Sequence, residues 1–435
     1  MQERRIVNTQ FNIQQIAVIG AGTMGRGIVI SLASAGLPVL WLDSNTATLD
    51  AGLTMIEQTW LQLVGKERIT QVEADANLGR VRAVKDYAAL AEADLVIEAV
   101  YESLELKQEI FRALDKHLKP RAILASNTSA LDIDAIAAVT SRPQQVLGLH
   151  FFSPANIMKL LEIVRGEHTH STVLQAARAL GQRIGKVAVV AGNCPGFIGN
   201  RMLRTYIAEA RKLLLEGALP QQVDEVLQQF GFAMGPFRMF DVVGIDLEWR
   251  ARQLAGQSME DPLMQVDNAL CELGRLGQKT GQGYYRYAPG SRRAEHDPLV
   301  DALVLRVSMG LGYRRRDITA EEILERCLLA LVNEGAKILE ERIAASSRDI
   351  DQVWLNGYGF PAEPGGPMHW ADEQGLPKIL ARLERLNGLF GEHWRPAVLI
   401  HQLMARKKRF AEVQDGGHDL AGFPLATSLV AAIST

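Results

Sequence analysis

Residues 16–25 read Ile16-Ala-Val-Ile-Gly20-Ala-Gly22-Thr23-Met24-Gly25. The apolar run 16–20, closed by a glycine, reads as a buried parallel strand. Small and apolar residues at helical spacing follow over 23–35, and 38–43 (Pro-Val-Leu-Trp-Leu-Asp) forms a second strand. Strand, helix and strand within about 30 residues make a βαβ unit with a right-handed crossover. Gly20 permits the tight turn, Gly22 admits a pyrophosphate to the backbone, and Gly25 lets helix and strand pack closely. Asp43 ends the second strand, 23 residues after Gly20, where a carboxylate can accept both ribose hydroxyls. The next basic residue along the chain is Lys66, so nothing nearby is expected to compensate a 2′-phosphate. NAD is therefore favoured over NADP, and a glycine turn without a nucleotide is the competing reading.

Outward from this unit, further apolar runs lie at 94–99, 122–126, 146–151, 159–164 and 187–190, with amphipathic stretches such as 103–117 and 172–183 between them. Such alternation predicts an open α/β sheet of Rossmann type, helices on both faces, over 15–192. Past Cys194-Pro195-Gly196 the pattern becomes helical, with one long helix over 197–215 and helix again from 318. The C-terminal half repeats itself. Glu209-Ala-Arg-Lys-Leu-Leu-Leu-Glu resembles Glu334-Gly-Ala-Lys-Ile-Leu-Glu-Glu, Val223-Asp-Glu-Val is echoed by Ile350-Asp-Gln-Val, and Gly231-Phe…Gly235-Pro by Gly359-Phe…Gly366-Pro. The order is kept at a lag of roughly 125 to 131 positions, which predicts two all-α domains related by internal duplication, 193–298 and 299–435. Residues 288–297 read as a polar linker, the second copy lacks a counterpart of 194–200, and 1–14 form a linker-like arm.

Hydrophobic residues make up 47% and charged residues 22% of 435 residues, a globular balance that excludes a disordered or fibrous chain. Lys plus Arg number 47 against 50 for Asp plus Glu; the net charge of −3 gives no support to a nucleic-acid or membrane-surface protein. Cys194, Cys271 and Cys327 are scattered and odd in number, which fits a reducing compartment and a cytoplasmic location. The first residues carry no secretory signal, and the most apolar window, 27–42, is too short and too broken to span a bilayer.

Ser126-Asn-Thr-Ser129 lies at the end of the strand run 122–126, on the edge where ligands bind in such sheets. His150 ends the next strand, and Glu162 follows 12 residues later. A short return through Pro154 would bring the two face to face. A carboxylate on one imidazole nitrogen then fixes the tautomer and leaves the other free to remove a hydroxyl proton. Taken singly, His150 is more often a core or surface histidine and Glu162 an ordinary strand residue. His168-Thr-His170 lacks acidic or thiol partners at metal-binding spacing and reads as a polar loop, Cys194 reads as a packed thiol, and no metal site is expected.

The motifs Ile19-Gly-Ala-Gly-Thr-Met-Gly25, Ser126-Asn-Thr-Ser129, His150-Phe-Phe-Ser-Pro154, Pro195-Gly-Phe-Ile-Gly-Asn200, Met234-Gly-Pro-Phe237 and Lys279-Thr-Gly-Gln-Gly-Tyr-Tyr285 occur in this order. With them the chain resembles the L-3-hydroxyacyl-CoA dehydrogenase family over about residues 15–403. The likeness is strongest to the dehydrogenase half of the multifunctional fatty-acid β-oxidation enzymes, of peroxisomal and bacterial type. The resemblance implies NAD-dependent oxidation of an (S)-3-hydroxyacyl-CoA to a 3-ketoacyl-CoA. It makes His150 the base, Glu162 its orienting partner, and Ser129 and Asn200 the groups that bind the substrate's 3-oxygen. It assigns cofactor contacts to Gly20, Gly22, Thr23, Met24, Gly25, Asp43, Val100, Tyr101, Glu102, Lys107, Ser129 and Ser153. Ser153 stands where many members carry asparagine. Lys107, by its own surroundings in Glu105-Leu-Lys-Gln-Glu109, reads as part of a solvated helix face.

Multifunctional members carry a hydratase half ahead of this region. Only about 14 residues precede it here, so dehydrogenase activity without hydratase activity is expected. The alternatives are a dehydrogenase of hydroxy acids without CoA and a catalytically silent NAD-binding structural protein. The repeat leads to a further expectation, a monomer in which the second helical copy takes the place of a partner subunit. Docking to a separate hydratase or thiolase fits the same resemblance.

Overall fold

Short, fully buried apolar runs build most of the sheet in the computed structural model, which describes residues 12–413 apart from residue 255. The strands are β1 (Ile16–Ile19), β2 (Val39–Leu42), β3 (Val81–Val84), β4 (Leu95–Glu98), β5 (Ile123–Ser126), β6 (Val146–Phe151), β7 (Leu160–Arg165) and β8 (Val187–Gly192). They form one sheet in the order β3-β2-β1-β4-β5-β6-β7-β8. Neighbours are parallel except β6 and β7. The eight-residue connection between those two passes the cis peptide Ser153–Pro154 and is too short for a crossover helix, so the pair runs antiparallel. The winding direction reverses between β1 and β4, which opens a crevice beyond their C-terminal ends. Two helices between β2 and β3 escaped the sequence reading. Thr46–Gly65 starts on an Asn45 cap, and Gln71–Gly79 on a Thr70/Glu73 capping box.

Beyond β8 the chain is helical and its repeat is geometric. The helices Gly199–Glu216 and Ala320–Glu340 lie against each other at the centre. Arg201 pairs with Glu334 and Glu341, and Arg326 with Glu209 and Glu216. Each residue of one set corresponds to a residue of the other 125 positions away, so the contact is self-complementary like a two-fold subunit interface. Thr205 Oγ1 meets the carbonyl of its own counterpart, Ala330, at 3.4 Å, where the pseudo-axis passes.

Each copy also uses one buried aspartate to hold a later helix by its start. Asp224 accepts from the N–H groups of Phe237 and Arg238, and Asp351 from those of Met368 and His369. Burial raises both carboxyls to about 7 against these hydrogen bonds. One apolar core continues from β4 and β5 through Phe197 into both helical copies.

Residues 288–297 are not a free tether. Arg286 pairs backbone to backbone with Glu295, and Asp297 caps the next helix while accepting from Arg275 at 2.7 Å. The arm 1–14 lies for the most part outside the described residues, as do residues 414–435 of the second copy. Among the described residues no helix is long and apolar enough to cross a membrane, and no cluster of His, Cys, Asp and Glu could hold a metal. All three cysteines are free.

Candidate active site

The turn after β1 has the form a diphosphate needs. Gly20 sits at φ +103, and a Cβ there would fall 2.5 Å from the Ala99 carbonyl oxygen. A Cβ on Gly25 would come within 1.9 Å of the Gly20 carbonyl oxygen, so the helix Thr23–Ser34 can approach the strand only with glycine there. At Gly22 there is open space instead. That helix has no side-chain cap and no acid in its first turn, which leaves its N-terminal N–H groups free for an anion. Asp43 holds the loop by accepting from Ala21 N at 2.7 Å and Asn45 N at 2.8 Å.

A cleft of about 850 Å³ opens here, lined by Gly20, Gly22, Thr23, Met24, Asp43, Val100 and Tyr101 among others. These residues fit a dinucleotide. Lys85 also lines the cleft. A cation therefore does stand beside Asp43, contrary to the expectation from chain order, because β3 pairs Val84 with Leu42 and so carries Lys85 round to the cleft.

The second centre lies where β6 and β7 pair. Their register sets His150 directly opposite Glu162, and His150 Nδ1 stands 2.8 Å from Glu162 Oε2. A carboxylate can only accept, so Nδ1 carries the hydrogen and Nε2 keeps its lone pair. Glu162 is fully buried, and its other oxygen accepts from Ile198 N at 3.2 Å and Gly199 N at 2.9 Å. These donors belong to the start of the first helical copy, where Gly196 and Phe197 turn the chain through the left-handed region at φ 84 and 50. The same turn sets Phe197 against the imidazole, with ring centroids 5.7 Å apart, and delivers Asn200 to Ser129, with Asn200 Nδ2 3.5 Å from the Ser129 carbonyl oxygen. His150, Glu162, Ser129 and Asn200 thus converge from two domains.

Glu102 organises the loop that carries Ser129. It accepts from Thr128 Oγ1 at 2.5 Å, Ser129 N at 2.8 Å and Ser129 Oγ at 3.2 Å. Burial opposes its ionisation, but Thr128, Lys107 and Ser129 outweigh that and hold the carboxyl below the ordinary glutamate range. Lys107 is not on a solvated face. It is buried, 2.8 Å from fully buried Glu98, which also accepts from Ser126 Oγ and Val100 N. It lines no part of the cleft described above. Its placement instead ties β4 and β5 to the loop that bears Val100 and Tyr101.

Glu98 was missed in the sequence. A carboxylate inside an apolar strand run, nine residues before a lysine on the next helix, was its available signal. Asn127, also unassigned, accepts from Phe151 N at 2.9 Å and joins the Ser129 loop to the His150 strand. Ser153 is exposed, on the β6–β7 connection. His170 caps the helix Ser171–Arg183.

Comparison with known proteins gives the same two parts. The family model "3-hydroxyacyl-CoA dehydrogenase, NAD binding domain" matches residues 15–194, and the model "3-hydroxyacyl-CoA dehydrogenase, C-terminal domain" matches twice, over 196–287 and 323–417. A peroxisomal bifunctional enzyme of Danio rerio is 45% identical over 410 residues, covering 91% of this chain and 56% of that one. A 3-hydroxybutyryl-CoA dehydrogenase structure from Escherichia coli superposes with a TM-score of 0.77 at 29% identity, over 91% of this chain and 99% of that one. The dehydrogenase part of multifunctional enzyme 1 from C. elegans gives 0.67 at 29% identity, over 90% of each chain. The chain spans about half the length of the curated relatives it matches. A Rossmann-type sheet matched by the family's NAD-binding model, followed by two matches to its helical C-terminal model, makes this chain a member of the 3-hydroxyacyl-CoA dehydrogenase family.

Proposed function

We propose that the chain oxidises (S)-3-hydroxyacyl-CoA to 3-ketoacyl-CoA in fatty-acid β-oxidation. The observation that carries this is the His150–Glu162 pair, set by strand register and clamped by the helix Gly199–Glu216. His150 Nε2 removes the proton of the 3-hydroxyl, and Glu162 stabilises the imidazolium that forms. Ser129 and Asn200 hold the oxygen as it becomes a carbonyl. NAD, when bound, supplies the hydride acceptor; Gly20, Gly22, Thr23, Met24, Gly25, Asp43, Val100 and Tyr101 are the residues to hold it. Glu102, Lys107 and Ser153 complete the cofactor side, Lys107 through its pairing with Glu98 and Glu102. We assign these roles to residues 15–192 and the first helical copy, 193–298, with 299–435 as the second copy. Acetoacetyl-CoA with NADH tests the reading: reduction supports it, whereas reduction of free acetoacetate alone would transfer the chain to a hydroxy-acid dehydrogenase.

Asp43 should set cofactor choice. Its carboxylate repels a 2′-phosphate, while Lys85 in the same cleft attracts one. We expect kcat/KM for NADH to exceed that for NADPH, and Asp43→Ser to narrow the difference by leaving Lys85 uncontested. Equal efficiencies in the parent enzyme would remove Asp43 from this role.

The self-complementary contact between the two helical copies supports a monomer, because an intramolecular partner excludes a second chain. Light scattering at micromolar concentration should return a mass near 47.9 kDa. Twice that mass would end the idea. The described residues form the sheet and the helices above, and to them we assign dehydrogenase but no hydratase activity. Enoyl-CoA hydration by this chain would overturn that. Relatives described as subunit alpha of a fatty acid oxidation complex support a separate hydratase or thiolase as a docking partner. Three free cysteines support a reducing compartment, and on that ground we propose the cytoplasm.

A further inference from the structure

The second helical copy reaches the reaction centre through the side chain of Tyr358. We propose that Tyr358 is a positioning residue: its hydroxyl, 2.9 Å from Asn200 Oδ1, donates to that oxygen and turns the Asn200 amide N–H toward the substrate's 3-oxygen. This rests on the reading of Asn200 as a donor to that oxygen.

A carboxamide has an acceptor end and a donor end of nearly the same shape. Turned the wrong way, Asn200 would present a lone pair to an oxygen that becomes a carbonyl, and would repel it. Two groups fix its sense. The Ser129 carbonyl, 3.5 Å from Nδ2, can only accept, and the Tyr358 hydroxyl is free to donate at the other end. Reversal would bring Oδ1 against the Ser129 carbonyl. One Nδ2 hydrogen then remains for substrate. Burial, with the charge of Glu162 adding to it, keeps the Tyr358 hydroxyl protonated far above the usual phenol range, so it stays a donor.

The ring is held as firmly as the bond requires. Trp354 stacks on it with centroids 4.8 Å apart, and Phe152 meets its edge at 5.6 Å. Phe152 in turn lies 4.4 Å from the His150 ring. Gly199 makes room, since a Cβ there would fall 2.4 Å from the tyrosine hydroxyl oxygen. The first copy has no such group to offer: Gly231-Phe232 corresponds to Gly359-Phe360, so the counterpart of Tyr358 is Phe230, which lacks a hydroxyl. The two copies have diverged at this position, and the second completes a site built on the first.

Tyr358→Phe removes the hydroxyl and keeps the ring. Measured as acetoacetyl-CoA reduction, kcat should fall on the order of tenfold, the scale of one neutral hydrogen bond, with KM for NADH and the unfolding temperature near the parent's. The decisive comparison uses Asn200→Ala. If Tyr358 acts through Asn200, Tyr358→Phe should lower kcat no further in that background. A parental kcat in Tyr358→Phe while Asn200→Ala is impaired would overturn the positioning role alone. The same loss with and without Asn200 would do so too, since it would mark a general packing effect. A parental kcat in Asn200→Ala would instead remove the reading of Asn200, and this inference with it.

Discussion

His150→Gln is expected to lower kcat by about 10²-fold or more while NADH affinity stays at the parental value. Glutamine cannot take the hydroxyl proton at the point where Nε2 stands. The nucleotide cleft is built from the turn after β1, the ends of β2, β3 and β4 and the helix that follows β4, and its lining does not include His150, so cofactor binding should survive. Glu162→Gln should be more damaging to structure than to isostere logic suggests. The buried carboxylate accepts from the imidazole, Ile198 N and Gly199 N at once, whereas an amide offers one acceptor oxygen and would turn an N–H toward one of these donors. Near-normal turnover in His150→Gln, measured with acetoacetyl-CoA and NADH, would show the base to lie elsewhere.

How much of this was legible depended on how local each signal was. Buried parallel strands appear as unbroken apolar runs, so β1, β2 and β4 to β8 could be read directly. β3 is Val-Arg-Ala-Val at the sheet edge with only its last residue buried, and nothing in four half-exposed residues marks a strand. Lys85, which follows it, was therefore invisible as a neighbour of Asp43. Pro154 and a spacing of 12 residues allowed a short return that sets the two face to face, but it was the family resemblance that assigned the pair; the β6–β7 register then follows from alternation. The clamp on Glu162 was not, since two backbone N–H groups leave no mark in a sequence. Lys107 shows the reverse error. Its neighbours are charged, but its own side chain turns inward to Glu98, and helix composition cannot reveal which face a single lysine occupies. Tyr358 lies 158 positions from Asn200 and meets it only because the helical copies pack as a pair.

That pairing leads to the largest expected loss of stability. Arg326 is fully buried, with Nη2 2.9 Å from Glu209 Oε2, Nη1 2.5 Å from Glu216 Oε2, and its guanidinium 4.3 Å from the centre of the Phe390 ring. Arg326→Met would leave two carboxylates at the interface without their shared cation, and removing one partner of a buried pair costs about 3–5 kcal/mol. Arg201→Met should cost less, although it is the symmetry-related residue, because its partner Glu341 is half exposed and can take up water. Burial opposes the ionisation of Glu209, yet His393, Arg326 and Lys212 outweigh it and bring the carboxyl down to about 2. A depressed carboxyl stabilises the fold above its unfolded value near 4.5, and that contribution is lost as pH falls from there toward 2. The parent should therefore lose stability in that window, and Arg326→Met, already deprived of the cation, should lose less of it there. Adding Glu209→Met to Arg326→Met should recover part of the deficit by removing one stranded charge. Thermal unfolding followed at pH 7 and again below pH 4 measures all of this. If Arg326→Met unfolds with the parent at pH 7, the ion pairs across the pseudo-axis do not hold the two copies together, and their apolar contact alone does.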